Sequence, residues 1–178
     1  MRLGHHSSDI YDRLSSIKYE SDLAAELALI FPSIPWIPNE RAGLWYLSRT
    51  KVNVLKGVSV YFKSTDGHVG QWDVNPRRLN LHLLHYVSSN KGLFIIDVTK
   101  QGKKFPDSQS KTIPLWCCVM NRLRAKFYPD DDFPDWDIEL YLPLNVAVSE
   151  LEADAIRSRI PAIIENLTVR LFNYFISP

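Results

Sequence analysis

The stretch LFIIDV, residues 93–98, constrains this chain more than any other. It is apolar at successive positions and so cannot turn one polar face to water. A run of that kind belongs in the middle of a parallel sheet covered on both faces. Parallel strands need a crossover between them, and a helix commonly makes it. The neighbouring sequence supplies that alternation. VSVYFK (58–63) reads as a strand and residues 64–75 as a polar loop with glycines. A helix from Pro76 follows, with an apolar stripe at Leu79, Leu83, Tyr86 and Val87, and it stops at Asn90-Lys91-Gly92. After LFIIDV come a second polar loop, TKQGKKFPDSQS (99–110), and a helix over about 111–126. Strand, loop, helix, repeated, is the mark of an α/β unit.

The flanks add helices. Ile10, Leu14 and Ile17, then Leu23, Leu27 and Ile30, recur at three- and four-residue spacing, and Ser21-Asp22 suits the start of a second helix in 8–31. Pro32, Pro35 and Pro38 force an extended connection. AGLWYL (42–47) and IELYLP (138–143) read as strands, and the acidic, proline-bearing 128–137 as a loop. A helix over about 149–159 and another after Pro161 end the chain. The expected fold is therefore α/β, a mostly parallel sheet flanked by helices with an N-terminal helical segment, in a single domain over residues 1–178.

Length and composition agree with a folded domain: 178 residues, 46% hydrophobic and 12% aromatic. Net charge is +1, so no global basicity points to nucleic acid, and any such case rests on local clusters. The two cysteines, Cys117 and Cys118, are adjacent within the apolar IPLWCCVM and read as buried thiols in a reducing compartment. No apolar leader segment and no membrane-spanning run is present, so a cytoplasmic setting is expected.

In open α/β sheets, sites form beyond the carboxyl ends of the strands. The two polar loops both follow strands, so they are expected to converge there. One carries Lys63, Ser64, Thr65, Asp66, Gly67 and His68; the other follows Asp97 with Thr99, Lys100, Lys103 and Lys104. Cations, hydroxyls and glycine N–H groups suit phosphates. Asp66 and Asp97 suit magnesium or a base role. His68 is a second candidate base, because imidazole exchanges protons near neutrality. The plain alternative is a pair of solvated loops whose Ser, Thr and Asp cap helices. No Walker or dinucleotide glycine motif occurs, and His82 and His85 do not make a zinc site. FIIDVTKQGK resembles the loop that holds phosphoribosyl pyrophosphate in many phosphoribosyltransferases, with one acidic residue where two are usual. Basic residues group as Arg77-Arg78, Lys100-Lys103-Lys104 and Arg122-Arg124-Lys126, with Trp45, Tyr46 and Trp72 near the first two groups. That mixture suits an RNA backbone with unstacked bases.

Three tracts carry a family resemblance: NERAGLWYL (39–47), YFKSTDGHVGQWD with RRLNLHLL (61–84), and IIDVTKQGKKFPDSQSKTIPLWCCVMNR (95–122). They closely resemble the N-terminal region of the initiator-tRNA 2′-O-ribosylphosphate transferases. Weaker likeness extends to YDRLSSIKYES (11–21) and LPLNVAVSELEADAIRSRIPA (142–162). The resemblance implies a glycosyltransferase, specifically a pentosyltransferase, that modifies tRNA and thereby acts on translation initiation. Its reaction moves ribosyl phosphate from phosphoribosyl pyrophosphate to the 2′-hydroxyl of adenosine 64 of initiator methionyl-tRNA. The donor's α-pyrophosphate and the product's β-glycosidic bond imply one inversion, a direct displacement at the anomeric carbon. Family members also carry a C-terminal domain resembling dual-specificity phosphatases. A missing C-terminal domain or a partner chain is therefore implied here.

Combined, these readings make Asp66, His68 and Asp97 the catalytic candidates, with Asp66 and Asp97 as ligands for magnesium. Lys63, Ser64, Thr65, Gly67, Thr99, Lys103 and Lys104 are the donor-phosphate candidates, and Arg77, Arg78, Arg122 and Arg124 the tRNA candidates. A non-catalytic tRNA- or phosphate-binding domain that needs a separate catalytic domain is the first rival. A hydrolase of small phosphate esters is the second, although Cys117 and Cys118 lie outside any glycine-rich loop.

Overall fold

A computed structural model describes residues 4–40, 43–47, 54–55, 57–98, 103–129 and 137–176. The chain is an α/β mixture: helices with a small parallel sheet. It divides into two compact units, residues 1–61 with 80–98, and residues 62–79 with 99–178.

In the first unit, α1 (Gly4–Ile30) leads into β1 (Trp36–Pro38), which pairs in parallel with β2 (Phe94–Ile96). The register sets Trp36 beside Phe94 and Pro38 beside Ile96. Trp36 of β1 also forms a parallel bridge to Val54, and Asn39, just past β1, forms one to Val60. The central segment is therefore WIP, in the proline-rich stretch read as a connection, and not LFIIDV. All three β1 residues are buried, whereas those of β2 are half-buried. Pro38 fits because its missing N–H falls at the strand end, while its carbonyl accepts from Val60 N at 3.0 Å. Stacking of Trp36 on Phe94, with ring centroids 4.6 Å apart, closes the pair.

Several expectations change in this unit. α1 runs unbroken through Ser21-Asp22, since no proline or glycine interrupts Asp9 to Ile30. It buries Ala24, Ala25 and Ala28, and leaves Leu23, Leu27 and Ile30 exposed. Small side chains let a helix approach its neighbour closely, so the buried stripe is not the one with the largest residues. The expected strand at 42–47 is instead a 3₁₀ turn, Gly43–Tyr46. A Cβ on Gly43 would collide with the Ile96 carbonyl oxygen, so only glycine lets this turn lie against β2. The expected strand 58–63 is extended but contributes one bridge, at Val60. α2 begins at His82, later than Pro76 suggested, and ends at Asn90. Asn75 and Pro76 make a turn in which Asn75 Oδ1 accepts from Arg77 N at 2.9 Å. Asn80 then takes a left-handed φ of 49° and bonds the Tyr61 backbone, which blocks an earlier helix start.

In the second unit, a π-turn (Ser108–Thr112) opens α3 (Ile113–Phe127), and α4 (Glu150–Ile176) packs on α3. α3 buries Leu115, Trp116, Val119, Met120 and Leu123. Cys118 is buried, but Cys117 reaches solvent, which corrects the reading of two buried thiols. α4 passes through Pro161 without ending. Its stripe of Ala153, Ile156, Ile160, Ile163 and Leu167 is buried, while Pro161 is exposed. Burying each Ile or Leu is worth about 1.5–3 kcal/mol, so the stripe outweighs the roughly 3 kcal/mol cost of an interior proline. Residues 138–143 form no strand. Their neighbouring carbonyls are taken by α3 side chains: Ile138 O accepts from Arg122 Nε at 2.8 Å, and Asp137 O from Asn121 Nδ2 at 2.6 Å.

Candidate functional site

The distinctive loop, residues 62–73, sits in the second unit on an apolar floor. Phe62, Trp72 and Val74 are buried, and Phe62 meets Trp116 edge to face with centroids 5.6 Å apart. Trp116 Nε1 donates to Leu79 O at 2.6 Å. Trp72, read as a stacking platform for bases, is thus a core residue, 7% exposed; Trp45 in the other unit is 66% exposed and keeps that possibility.

Above this floor Ser64–Gly67 form one 3₁₀ turn. The turn is fitted to the start of α3. A Cβ on Gly67 would lie 2.8 Å from both Asp107 O and Thr112 Oγ1. Thr112 Oγ1 also donates to Lys63 O at 3.3 Å. Gly67 is therefore required for close packing, a role distinct from the anion approach its sequence context suggested. The two polar loops do converge, through residues 63–68 of one and 103–112 of the other.

Their meeting point is Asp107. Its Oδ2 lies 2.6 Å from Lys103 Nζ and 3.6 Å from His68 Nε2, and its Oδ1 lies 3.2 Å from Lys111 Nζ. Lys111 Nζ also meets Glu152 Oε1, on α4, at 2.9 Å. Burial alone would raise the Asp107 carboxyl, but hydrogen bonds and charge from Lys103 and Lys111 prevail and hold it below its ordinary value. Burial alone would lower Lys111, but its bonds to Glu152 and Asp107 prevail and raise it. Sequence reasoning missed Asp107, Lys111, Thr112 and Glu152. A legible signal existed: Lys103, Asp107 and Lys111 are spaced by four, the spacing of facing charges on a helix.

Asp66 and Arg78, assigned to different roles, pair with each other. Arg78 Nη2 donates to Asp66 Oδ2 at 2.9 Å and lies 3.4 Å from Oδ1. Asp97 lies in the first unit, where its Oδ2 accepts from Asn39 Nδ2 at 2.7 Å and its Oδ1 from Val98 N at 2.8 Å. Thr99 and Lys100 lie outside the described residues. Lys104 and Arg77 are exposed, and Arg122 and Arg124 are half-buried on α3. Among the described residues, no group of three His, Cys, Asp or Glu side chains gathers to hold a metal.

A family model described as the Rit1 N-terminal domain matches residues 3–174. The chain belongs to the Rit1 N-terminal-domain family. Its curated relatives include the tRNA A64-2′-O-ribosylphosphate transferase of Saccharomyces cerevisiae, 43% identical over 162 residues, or 90% of this chain and 30% of the relative. An uncharacterized protein of Schizosaccharomyces pombe is 44% identical over 124 residues, 67% of this chain and 26% of that protein. This Rit1 N-terminal domain thus spans under a third of the length of either relative. No solved structure matches it. Among the described residues, no helix is long and apolar enough to cross a membrane.

Proposed function

We propose that this domain works in tRNA modification, in the transfer of ribosyl phosphate from phosphoribosyl pyrophosphate to the 2′-hydroxyl of adenosine 64 of initiator tRNA. The observation that carries the proposal is the 43% identity over 162 residues with the yeast A64 transferase. The convergence of two polar loops that carry Lys63, Lys103 and Lys104 supports a phosphate-bearing ligand in the second unit. Lys63, Lys103 and Lys104, with Ser64 and Thr65, would neutralise and bond the donor phosphates. Arg77, Arg78, Arg122 and Arg124 would meet the tRNA backbone. A cytoplasmic setting fits a tRNA substrate.

The reaction itself is a displacement. The 2′-oxygen forms a bond to the anomeric carbon, the bond from that carbon to pyrophosphate breaks, and the hydroxyl proton passes to a base. Asp66 and His68 are the candidates in this unit, with Asp97 a candidate in the other. Magnesium, bound with the donor's phosphates, would supply further charge neutralisation. Because the chain spans 30% of the yeast enzyme, a substrate-binding portion that needs further protein for chemistry is the second reading.

The deciding assay combines labelled phosphoribosyl pyrophosphate, magnesium and initiator tRNA lacking the modification. Label transferred to tRNA supports an active domain. Binding of donor or tRNA without transfer supports the second reading. Neither transfer nor binding of either substrate removes the proposal.

A further inference from the structure

We infer that the N-terminal half of α1 is an interaction surface for a second copy of this chain, packed antiparallel through Ile10, Leu14 and Ile17. On a helix, positions 10, 14, 17, 21, 24 and 28 fall on one face, and their alternating spacing of four and three is that of the seam between paired helices. In the C-terminal half this face is covered: Ala24 and Ala28 are buried, as is Ala25 beside them. In the N-terminal half the same face is open to water. Ile10 is 58% exposed, Leu14 is 60% exposed, and Ile17 is half-buried. The residue type changes along with the burial. Alanines line the part packed inside the unit, and large branched side chains line the part beyond it. Single exposed apolar residues are ordinary, but a contiguous stripe that continues a buried seam marks a protein contact.

The flanking charges select the partner and its direction. In an antiparallel pair with Leu14 against Ile17 of the second copy, Arg13 of each helix faces Glu20 of the other, so the two-fold symmetry makes that contact twice. On the opposite flank Lys18 faces Tyr11, a cation against an aromatic ring. A parallel pair would instead set Arg13 beside Lys18 of the second copy, like charge against like. Both members of the attractive pair can be recruited. Arg13 holds Asp9 at 2.9 Å, but their side chains are 73% and 51% exposed, and such a surface contact is readily exchanged. Glu20 accepts from Ser16 Oγ at 3.0 Å and from the Tyr46 hydroxyl, and a carboxylate has about four acceptor positions. The other exposed apolar stripe of α1, Tyr19, Leu23, Leu27 and Ile30, does not suit a second copy. Asp12, Glu20, Asp22 and Glu26 lie on that side of the helix, so two copies would meet there with like charges.

The test is sedimentation equilibrium of the whole chain over a concentration series that reaches the millimolar range. The wild type should pass from the mass of one chain toward that of two. Ile10→Gln with Leu14→Gln should keep it a single chain throughout. Melting of the dilute protein should be unchanged by that pair, because both positions are exposed in the single chain. Arg13→Glu should weaken the dimer about tenfold, since two exposed ion pairs become repulsive contacts. Adding Glu20→Arg to Arg13→Glu should recover the affinity, because both pairs are then reversed and complete. A single chain at every concentration overturns the inference and leaves the stripe to a different partner. A dimer that survives the double glutamine change overturns it by placing the contact elsewhere. Tightening by Arg13→Glu overturns it by showing helices that run in parallel, and a reversed pair that recovers no affinity removes the antiparallel contact.

Discussion

Replacing Lys111 by methionine isolates the charge at the centre of the second unit. Methionine has a similar length and no charge, so packing changes little while Asp107 and Glu152 lose their shared cation. The three side chains are 8%, 12% and 17% exposed for Lys111, Asp107 and Glu152, so water cannot replace the lost partner fully. Removing one member of a buried ion pair costs about 3–5 kcal/mol. Lys103 remains 2.6 Å from Asp107, which places the expectation near the lower end, about 3 kcal/mol. For a chain of this size that corresponds to a fall in Tm of roughly 6–12 °C. Urea unfolding followed by tryptophan fluorescence measures it, since Trp72 and Trp116 are buried in the same unit.

The pH dependence sharpens the prediction. Asp107 is held below its ordinary 3.8, so it adds stability above that pH and loses it as pH falls through the lower native value. Lys111 is held above its ordinary 10.5, so it adds stability below that pH and loses it as pH rises through the higher native value. The network is therefore whole between those two ordinary values. In Lys111→Met the two carboxylates face each other without the ammonium, and protonating them relieves the strain. The deficit should be largest near neutrality and shrink toward pH 4. A deficit below about 1 kcal/mol at pH 7, the range of a surface pair, would refute the reasoning, as would one unchanged by acid.

Gly67→Ala should cost about 1–3 kcal/mol from overpacking against Asp107 O and Thr112 Oγ1, read from the urea midpoint; an unaltered midpoint would mean the turn yields freely. Asp66→Asn should slow transfer by about 10²–10⁴ if Asp66 is the base, with melting little changed. A slower rate that tracks lost melting temperature, reproduced by Arg78→Met, would assign the pair to folding instead. Arg77→Ala should weaken tRNA binding and flatten the slope of log K against log salt by somewhat under one unit; an identical slope would take exposed Arg77 off the tRNA path. Lys63→Ala should weaken pyrophosphate binding by about 1.5–3 kcal/mol, and calorimetry showing no change would exclude Lys63 from the anion site.

The sequence brought the two polar loops together by placing both after parallel strands; residues 63–68 and 103–112 do meet, but 58–63 forms no strand, so the contact rests on the fit of Gly67 against the start of α3. The four-residue spacing of Lys103, Asp107 and Lys111 hinted at their pairing, but nothing in the sequence marked Asp107 as the point that meets His68. FPDSQSKT reads equally well as a loop and as a helix start, and the π-turn that sets Asp107 against His68 leaves no periodic mark. The Asp66–Arg78 pair spans twelve positions and a turn. No spacing rule connects such residues, so each was assigned a role by its neighbours in sequence and not by its partner in space.

By itself the sequence determined the class of structure: helices at both ends, a parallel pairing in between, and two polar loops. Local propensity and hydrophobic period decide those features, and both are written residue by residue. The tertiary structure alone decided which apolar run lies at the middle of the sheet, which face of α1 is buried, and whether α4 survives Pro161. WIP outranks LFIIDV because β1 has bonding partners on both edges. Ala24, Ala25 and Ala28 outrank the leucines because close approach favours small side chains. The helix continues because burial of Ile156, Ile160 and Leu167 outweighs one missing N–H. Each outcome depends on the sum of contacts made with distant residues, and that sum exists only once the chain has folded.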